Sequence, residues 1–296
     1  MTRIDAHHHV WDLSVRDQPW TAELPLLRRS FDLDELTPEL AQAGIDRTVL
    51  VQTIVDDAET PELLALAAAN SVIAGVVGWV DLESTDVADA LAALRARPGG
   101  AALVGIRHQV QGEPNPAWLE QPDVLRGLAA VGDAGLAYDL LVTADQLPAA
   151  ITAARSLPDV RFVLDHAGNP DIAHGQLDPW RSHIAALASL PNVAVKLSGL
   201  TTRASHQWTV AELKPFVDVL LNSFGTSRIM FGSDWPVSLL AASYADTIAA
   251  AAQLVEGVSS AERDEVFGST AAAWYGLSTD DATDAGEAGA QPGNGP

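Results

Sequence analysis

Short β-branched segments alternate with Ala- and Leu-rich segments of helical period, and this alternation constrains the fold more than any other feature of the chain. The predicted strands are Ile4–Val10, Thr48–Thr53, Ala74–Asp81, Leu103–Val110, Ala137–Val142, Arg161–His166, Val193–Ser198 and Arg228–Ser233. The predicted helices include Thr60–Asn70, Asp86–Arg97, Val124–Ala134, Ala144–Ser156, Trp180–Ser189, Val210–Phe224 and Ala241–Val255. Strand–helix–strand order indicates right-handed βαβ units around a parallel sheet. About eight such units predict an α/β fold of the (β/α)8 barrel type. A doubly wound open sheet is the alternative, although no G-x-G-x-x-G motif follows the first strand.

The barrel is expected to occupy residues 1–277 as a single domain. Residues 278–296 are acidic and Gly-rich and contain no aromatic residue. That composition favours a disordered tail. The segment Leu13–Asp34, which follows the first predicted strand and carries Trp20, is expected to be a long loop, and loops of that length are often functional.

Charge and residue usage exclude several classes of protein. The chain has 39 acidic and 17 basic residues and a formal net charge of -22, so its surface repels nucleic acid and anionic lipid. It contains no cysteine, which excludes disulfides, thiolate metal sites and a cysteine nucleophile. No secretory signal and no apolar run long enough for a membrane span are visible. We therefore expect a cytoplasmic protein without nucleic-acid or membrane partners; the sequence does not predict its oligomeric state.

The first predicted strand reads I-D-A-H-H-H-V and places three histidines in a row. A purification tag is one interpretation. The other follows from the alternation of side chains along a strand, which puts His7 and His9 on one face with Asp5 and turns His8 away. Two imidazoles spaced in this way can bind one divalent ion or can bracket a substrate carbonyl. The second interpretation predicts that His7 and His9 belong to a site.

Two further strand ends carry groups suited to acid–base chemistry. Asp234 lies in F-G-S-D-W-P, where a tight strand exit would expose its carboxylate as a general base; a helix N-cap or turn role is the alternative. His166 in V-L-D-H-A-G-N-P would orient substrate, bind a metal or protonate a leaving group, unless it is a buried structural histidine. Because catalytic groups of barrels gather at the carboxyl ends of strands, we expect these residues to lie together.

The fourth and seventh strands end in basic residues. Arg107 can clamp a carboxylate or hydroxyl groups with its planar guanidinium, or can form a salt bridge in the barrel wall. His108 follows it, and alternation allows only one of the two to face inward. Lys196 in V-K-L-S-G stands within an apolar strand, where a lysine is costly unless paired, so a site role and a buried ion pair are both open.

Four motifs in chain order resemble the amidohydrolase superfamily. They are the H-x-H of His7 and His9, L-D-H-A-G-N-P with His166, K-L-S-G with Lys196, and F-G-S-D-W-P with Asp234. The resemblance covers about residues 3 to 277. It is closest to the amidohydrolase-related branch (amidohydrolase 2) that contains sugar-acid lactonases of the L-fuconolactonase and L-rhamnonolactonase kind.

The resemblance implies a (β/α)8 hydrolase that acts on the ester of a lactone or a related carbonyl compound. It places His7, His9, His166 and Asp234 at the site, with Trp20 and Trp235 lining a sugar pocket. Arg107-His108 stands where binuclear members carry a bridging lysine, and the fifth strand end offers no histidine. Either one zinc-like divalent ion, held by His7, His9 and Asp234 with His166, or catalysis without a metal is therefore implied.

The mechanism expected from these residues has a small-molecule lactone as substrate. Its carbonyl is polarised by His7 and His9 or by an ion that they hold, while Asp234 takes a proton from water. His166 and Arg107 stabilise the developing oxyanion, and Lys196 and His108 are further candidates for substrate contacts. Two alternatives stay open: a metal-dependent decarboxylase of aromatic acids, and a non-catalytic barrel that binds a sugar acid or a metal.

Overall fold

The structure is a computed structural model that describes residues 1–278, and within them eight parallel strands form one sheet in chain order. The strands are β1 (Ile4–His8), β2 (Arg47–Val51), β3 (Ile73–Gly78), β4 (Leu103–His108), β5 (Ala137–Leu140), β6 (Arg161–Leu164), β7 (Val193–Leu197) and β8 (Ile229–Phe231). Every predicted strand has a counterpart, so the predicted (β/α)8 architecture is confirmed.

Helices follow the strands and cover the outside of the sheet. In the described part of the chain they are α1 (Leu33–Ala43), α2 (Glu59–Ala69), α3 (Val87–Arg95), α4 (Pro122–Asp133), α5 (Leu147–Ser156), α6 (Trp180–Ala188), α7 (Val210–Phe224), α8 (Tyr244–Leu254), α9 (Ser260–Asp264) and α10 (Thr270–Tyr275). A π-helical turn, Glu265–Ser269, joins α9 to α10.

Helix α1 lies outside the segments predicted to be helical. It begins after Asp32, whose carboxylate accepts a hydrogen bond from the Glu35 amide at 3.0 Å, and it ends at Gly44, which has a φ of 66°. Pro38 lies within this helix. Because a proline normally predicts a helix end, it obscures the helical pattern here. The predicted loop after β1 is present and ends at Asp32 rather than Asp34.

All eight strands end earlier than predicted. Strand β6 ends at Leu164 rather than His166, and β8 ends at Phe231 rather than Ser233. The reason is that the backbone leaves the extended conformation at these points, as the φ angles of 51° at His166 and 58° at Asp234 show. The polar residues at the carboxyl ends therefore stand on turns just above the barrel.

The barrel closes between β1 and the residues that follow β8. The His9 amide donates to the carbonyl of Trp235 at 2.7 Å, and the Asp234 amide donates to the carbonyl of His7 at 2.8 Å. These two bonds continue the parallel ladder past the end of β8. They also fix the backbone of the H-x-H segment directly beside that of Asp234.

Apolar side chains fill two layers. The barrel interior holds mainly small and β-branched residues such as Ala6, Val51 and Val163, while Tyr275 and Leu277 pack against the strand beginnings from below. A larger cluster fills the space between sheet and helices. This division leaves the carboxyl end of the barrel free for polar groups, as expected of the fold.

Two expectations fall at the limits of the described chain. Apart from its first residue, the tail predicted for residues 278–296 lies outside the described residues. Among residues 1–278, no helix combines the length and the apolar character needed to cross a bilayer. The cytoplasmic location stays a prediction.

Candidate functional site

Strand β1 carries an irregularity that separates Asp5 from the histidines. Its register against β2 shifts between Asp5 and the end of the strand, as in a β-bulge. Asp5, which alternation placed on one face with His7 and His9, instead accepts hydrogen bonds from the Ser233 amide at 2.8 Å and from the Tyr244 hydroxyl at 3.1 Å. That expectation was wrong, because a bulge breaks the two-residue period. Asp5 joins β1 to the turn after β8 from outside the site.

The bulge turns His7 and His9 toward each other. Their Nε2 atoms are 3.1 Å apart. His9 Nδ1 lies 2.8 Å from the carbonyl of Val51, which only accepts, so this nitrogen carries the proton and the Nε2 of a neutral ring offers a lone pair. His8 faces the outer layer, where its Nε2 lies 3.0 Å from the Thr48 hydroxyl.

Asp234 lies at the centre of the imidazole group. Its Oδ1 is 3.6 Å from His9 Nε2, 3.7 Å from His7 Nε2 and 4.0 Å from His166 Nε2. The residue is 4% exposed, and its left-handed backbone aims the carboxylate back over the barrel. A helix N-cap or Asx turn, the alternative that the sequence left open, would use this carboxylate, whereas the bond to the Ser238 amide at 2.8 Å is accepted by the backbone carbonyl of Asp234.

His166 begins a turn with an unusual backbone conformation. Four successive residues, numbers 166–169, have φ angles of 51°, 53°, 70° and 52°. Left-handed backbone costs roughly 1–2 kcal/mol per residue other than glycine, so the fold maintains this segment against a local preference. His166 Nδ1 lies 3.0 Å from the Ser198 hydroxyl, and the ring lies against Gly199. Its Nε2 is thereby directed at Asp234.

Of the two basic residues at the end of β4, Arg107 is the one that faces the interior of the barrel. Its guanidinium donates to Asp165 Oδ2 at 3.0 Å and to the backbone carbonyl of Gln52. His108 faces the opposite way: Trp79 donates to its Nδ1 at 3.0 Å, which leaves its Nε2–H to donate to Glu113 at 2.7 Å. The expectation of a substrate contact by His108 is therefore corrected, because the pleat of β4 turns its ring out of the cavity.

Lys196 lies beneath the site and is fully buried. Its ammonium group contacts His7 Nδ1 at 3.0 Å, Asp165 Oδ1 at 2.9 Å and the carboxylate of Asp139. Tyr275 donates to Asp139 from below at 2.8 Å. Lys196 does not line the cavity, so its expected substrate contact is corrected to a buried ion pair beside His7. His7 is likewise fully buried and is covered by the residues above it.

A cavity of about 330 Å³ opens above these groups at the carboxyl end of the barrel. Residues that line it include His9, Trp20, Thr53, Arg107, His166 and Asp234. Trp20 is held there because its indole N–H donates to Gln18 at 2.8 Å, and Gln18 in turn donates to Thr53 at 2.7 Å. Trp235, expected in the pocket, instead packs edge-on against Phe31 in the core.

Sequence reasoning missed several residues of this region. Asp165 and Asp139 are the carboxylates that pair with Lys196, and Arg203 and Asn169 line the cavity. Asp165 directly precedes His166 in the same motif, so a strand-end aspartate was available as a signal. Arg203 lies in a loop with no distinctive pattern, and only the structure brings it to the cavity.

The electrostatics favour the ionised form of Asp234 and the neutral forms of His7 and His166. Burial favours the protonated form of Asp234, but His166, His9 and Arg107 outweigh it and hold the pKa of this carboxyl below its ordinary value. Burial lowers the pKa of His166. Burial together with the charge of Lys196 lowers the pKa of His7 well below its ordinary value. An ionised carboxylate surrounded by imidazoles is an arrangement suited to receiving a proton from water.

Comparison with known proteins identifies the family. The sequence model of the amidohydrolase family matches residues 4–277. The chain belongs to the amidohydrolase family. An L-fucono-1,5-lactonase of Burkholderia ambifaria is 40% identical over 245 residues, which cover 82% of this chain and 83% of the relative. An L-fucono-1,5-lactonase of Burkholderia multivorans is 38% identical over 289 residues, which cover 93% and 96%.

A solved structure is similar over the same range. The crystal structure of an amidohydrolase from Burkholderia multivorans with bound zinc has a TM-score of 0.87 and 37% identity, and the alignment covers 94% of this chain and all of that chain. The predicted family membership is therefore confirmed on both sequence and fold.

The donor set of this amidohydrolase fits a divalent ion. Ligand atoms of His7, His166 and Asp234 all lie within 4.8 Å of one another. Imidazole nitrogen and carboxylate oxygen are the donors that zinc takes in such sites. The Val51 carbonyl that holds His9 Nδ1 is a typical support for a metal-binding imidazole. Against this, Arg107 Nη1 lies only 3.4 Å from His7 Nε2, so an ion there would face a fixed positive charge.

Proposed function

We propose that this amidohydrolase hydrolyses the ring ester of a sugar-acid lactone resembling L-fucono-1,5-lactone. The observation that carries the proposal is the Asp234 carboxylate at 3.6–4.0 Å from the Nε2 atoms of His7, His9 and His166, on the floor of a cavity large enough for a small ring. The two lactonases that are 38–40% identical over most of the chain support the substrate class.

In the proposed reaction Asp234 takes a proton from a water molecule in the cavity. The water oxygen forms a bond to the carbonyl carbon, and the carbonyl oxygen becomes an oxyanion that Arg107 and His166 stabilise by hydrogen bonds. The bond between the carbonyl carbon and the ring oxygen then breaks. Asp234 or His166 returns a proton to that oxygen, which becomes a hydroxyl. The product is an open-chain hydroxy acid, which ionises and releases one proton to solvent.

The remaining residues bind and orient the lactone. Trp20 offers an aromatic face to the sugar ring, and His9 Nε2 can accept a hydrogen bond from a substrate hydroxyl or from the attacking water. His7, beneath them, orients His9 rather than touching the substrate. A divalent ion of the zinc type would be held by His7, His166 and Asp234, with His9 Nε2, 3.1 Å from His7 Nε2, as a further ligand. When bound, it would polarise the carbonyl as a Lewis acid.

The proposal is tested by measuring proton release from a panel of 1,4- and 1,5-aldonolactones, with spontaneous hydrolysis subtracted. We expect at least one 1,5-lactone to open at a rate proportional to enzyme concentration. A benzoate-type acid is included, with CO2 as the readout. Release of CO2 without lactone opening would favour the decarboxylase alternative. Thermal stabilisation by sugar acids without turnover of any compound would favour the binding barrel.

The pKa shifts predict a flat pH profile near neutrality. The pKa values of Asp234 and His166 are both lowered, so the midpoint of each titration lies below 6.5, the ordinary value for a histidine. We expect kcat/KM, measured in a pH-stat, to vary by no more than about twofold as the pH falls from 8 to about 6.5 and to fall only below that range. A decrease in kcat/KM on acidification with its midpoint at pH 7 or above would require a base of higher pKa. That result would contradict the role of Asp234.

A further inference from the structure

Two buried basic side chains contact the imidazole of His7 from opposite sides. Lys196 Nζ lies 3.0 Å from Nδ1, and Arg107 Nη1 lies 3.4 Å from Nε2. Both side chains are buried, so water does not screen their charges. The usual support of a metal-binding histidine is an acceptor on its second nitrogen. Asp165 Oδ1 lies 3.4 Å from His7 Nδ1, but the ammonium group of Lys196 lies closer to the same nitrogen.

Two carboxylates hold Lys196 against His7. Its ammonium group contacts Asp139 and lies 2.9 Å from Asp165 Oδ1 and 3.0 Å from His7 Nδ1. Asp165 Oδ1 also lies 3.4 Å from His7 Nδ1, so the carboxylate and the ammonium group share this side of the imidazole. A divalent ion on His7 Nε2 would therefore have a buried ammonium group on the other side of the same ring.

Charge acts in the same direction. Lys196 and Arg107 pair with the carboxylates of Asp139 and Asp165, so these four groups carry no net charge. Asp234 adds one negative charge, and Arg203, which lines the same cavity, adds one positive charge. A divalent ion would therefore add its whole charge to a balanced group, and removal of the ammonium group would reduce the excess positive charge by one. Buried charge that is balanced costs less than buried charge that is not.

We propose that Lys196 is a built-in cation that weakens divalent-metal binding at the cluster of His7, His9, His166 and Asp234. The ammonium group lies 3.0 Å from His7 Nδ1 and adds buried positive charge next to the position that an ion would take. This inference does not depend on the identity of the substrate, because it concerns an equilibrium of the free protein with a metal.

The test uses zinc as the probe and the metal-stripped full chain. Zinc affinity is measured by competition with a chromophoric chelator for the parent protein and for Lys196→Met, which keeps the length of the side chain. We expect Lys196→Met to bind zinc at least tenfold more tightly. The control is Lys214→Met. The side chain of Lys214 is 57% exposed and pairs with Asp218 on α7, so its loss leaves the groups around His7 unchanged. The zinc affinity of this control should equal that of the parent.

A second pair of variants tests the proposal if Lys196→Met alone does not fold. Lys196→Met leaves Asp139 and Asp165 buried with less positive charge, so the same substitution is also made in an Asp139→Asn chain, where the amide oxygen still accepts from Tyr275. Asp139→Asn/Lys196→Met should bind zinc more tightly than Asp139→Asn alone. Circular dichroism establishes which variants are folded. Equal or weaker zinc binding after removal of Lys196 in a folded chain overturns the proposal, whatever the lactone assays show.

Discussion

Asp234→Asn is expected to lower kcat for lactone hydrolysis by at least a hundredfold while the chain stays folded. The amide has nearly the shape of the carboxylate, and the backbone bonds of Asp234 to His7 and Ser238 do not involve its side chain. The amide cannot take a proton from water, and general-base catalysis contributes roughly 10²–10⁴-fold. The measurement is proton release under substrate saturation, with thermal unfolding recorded on the same samples.

The matched control for this variant is Asp218→Asn. It makes the same chemical change at a surface carboxylate that pairs with Lys214 on α7. Exposed pairs of this kind contribute about 0–1 kcal/mol, so we expect parental turnover and nearly parental stability. Turnover by Asp234→Asn within about threefold of the parent would show that another group activates the water.

Gly199→Ala is expected to impair the site through His166. A Cβ on Gly199 would lie 2.7 Å from Nδ1 and 2.9 Å from Cβ of the His166 side chain, contacts too short to keep. The ring also cannot retreat freely, since its Nδ1 is held by the hydroxyl of Ser198 at 3.0 Å. Displacement of a reacting group by about 1 Å can cost on the order of a hundredfold in rate. We expect kcat to fall at least tenfold.

Gly276→Ala separates this effect from backbone strain. Gly276 has a φ of 65°, close to the 64° of Gly199, and left-handed backbone with a ψ of 36°, but a Cβ there would meet nothing within 4 Å. Both substitutions place a Cβ on left-handed backbone, which destabilises the folded chain by roughly 1–2 kcal/mol. Only Gly199→Ala should lose activity in addition. Equal activity of the two variants at a temperature where both are folded would show that the position of His166 does not limit the reaction.

The periodicity of the sequence was sufficient to predict the barrel. Local residue patterns predict the strand and the helix of each βα unit. Parallel strands in chain order follow from the alternation of the two. The polar strand ends then predict a site, because all carboxyl ends meet on one face. The family motifs predict the same fold independently of the periodicity. The match to the family over residues 4–277 agrees with both predictions.

What the sequence could not predict depends on departures from regular geometry and on contacts between distant residues. The bulge in β1 cancels the alternation that grouped Asp5 with the histidines. The partners of Lys196 come from β1, β5 and the turn after β6, so no local pattern distinguishes a buried ion pair from a substrate contact. Trp235 is turned into the core, although it lies next to Asp234 in the same motif.

In the proposed reaction, water that Asp234 activates adds to the carbonyl carbon of the lactone. The decisive measurement opens L-fucono-1,5-lactone in ¹⁸O-labelled water with the parent chain and with Asp234→Asn, and locates the label in the acid by mass spectrometry. We expect enzyme-dependent ring opening with one ¹⁸O in the carboxylate, and loss of the enzyme-dependent part in Asp234→Asn. Label in the hydroxyl derived from the ring oxygen, or an undiminished rate in Asp234→Asn, would contradict this mechanism.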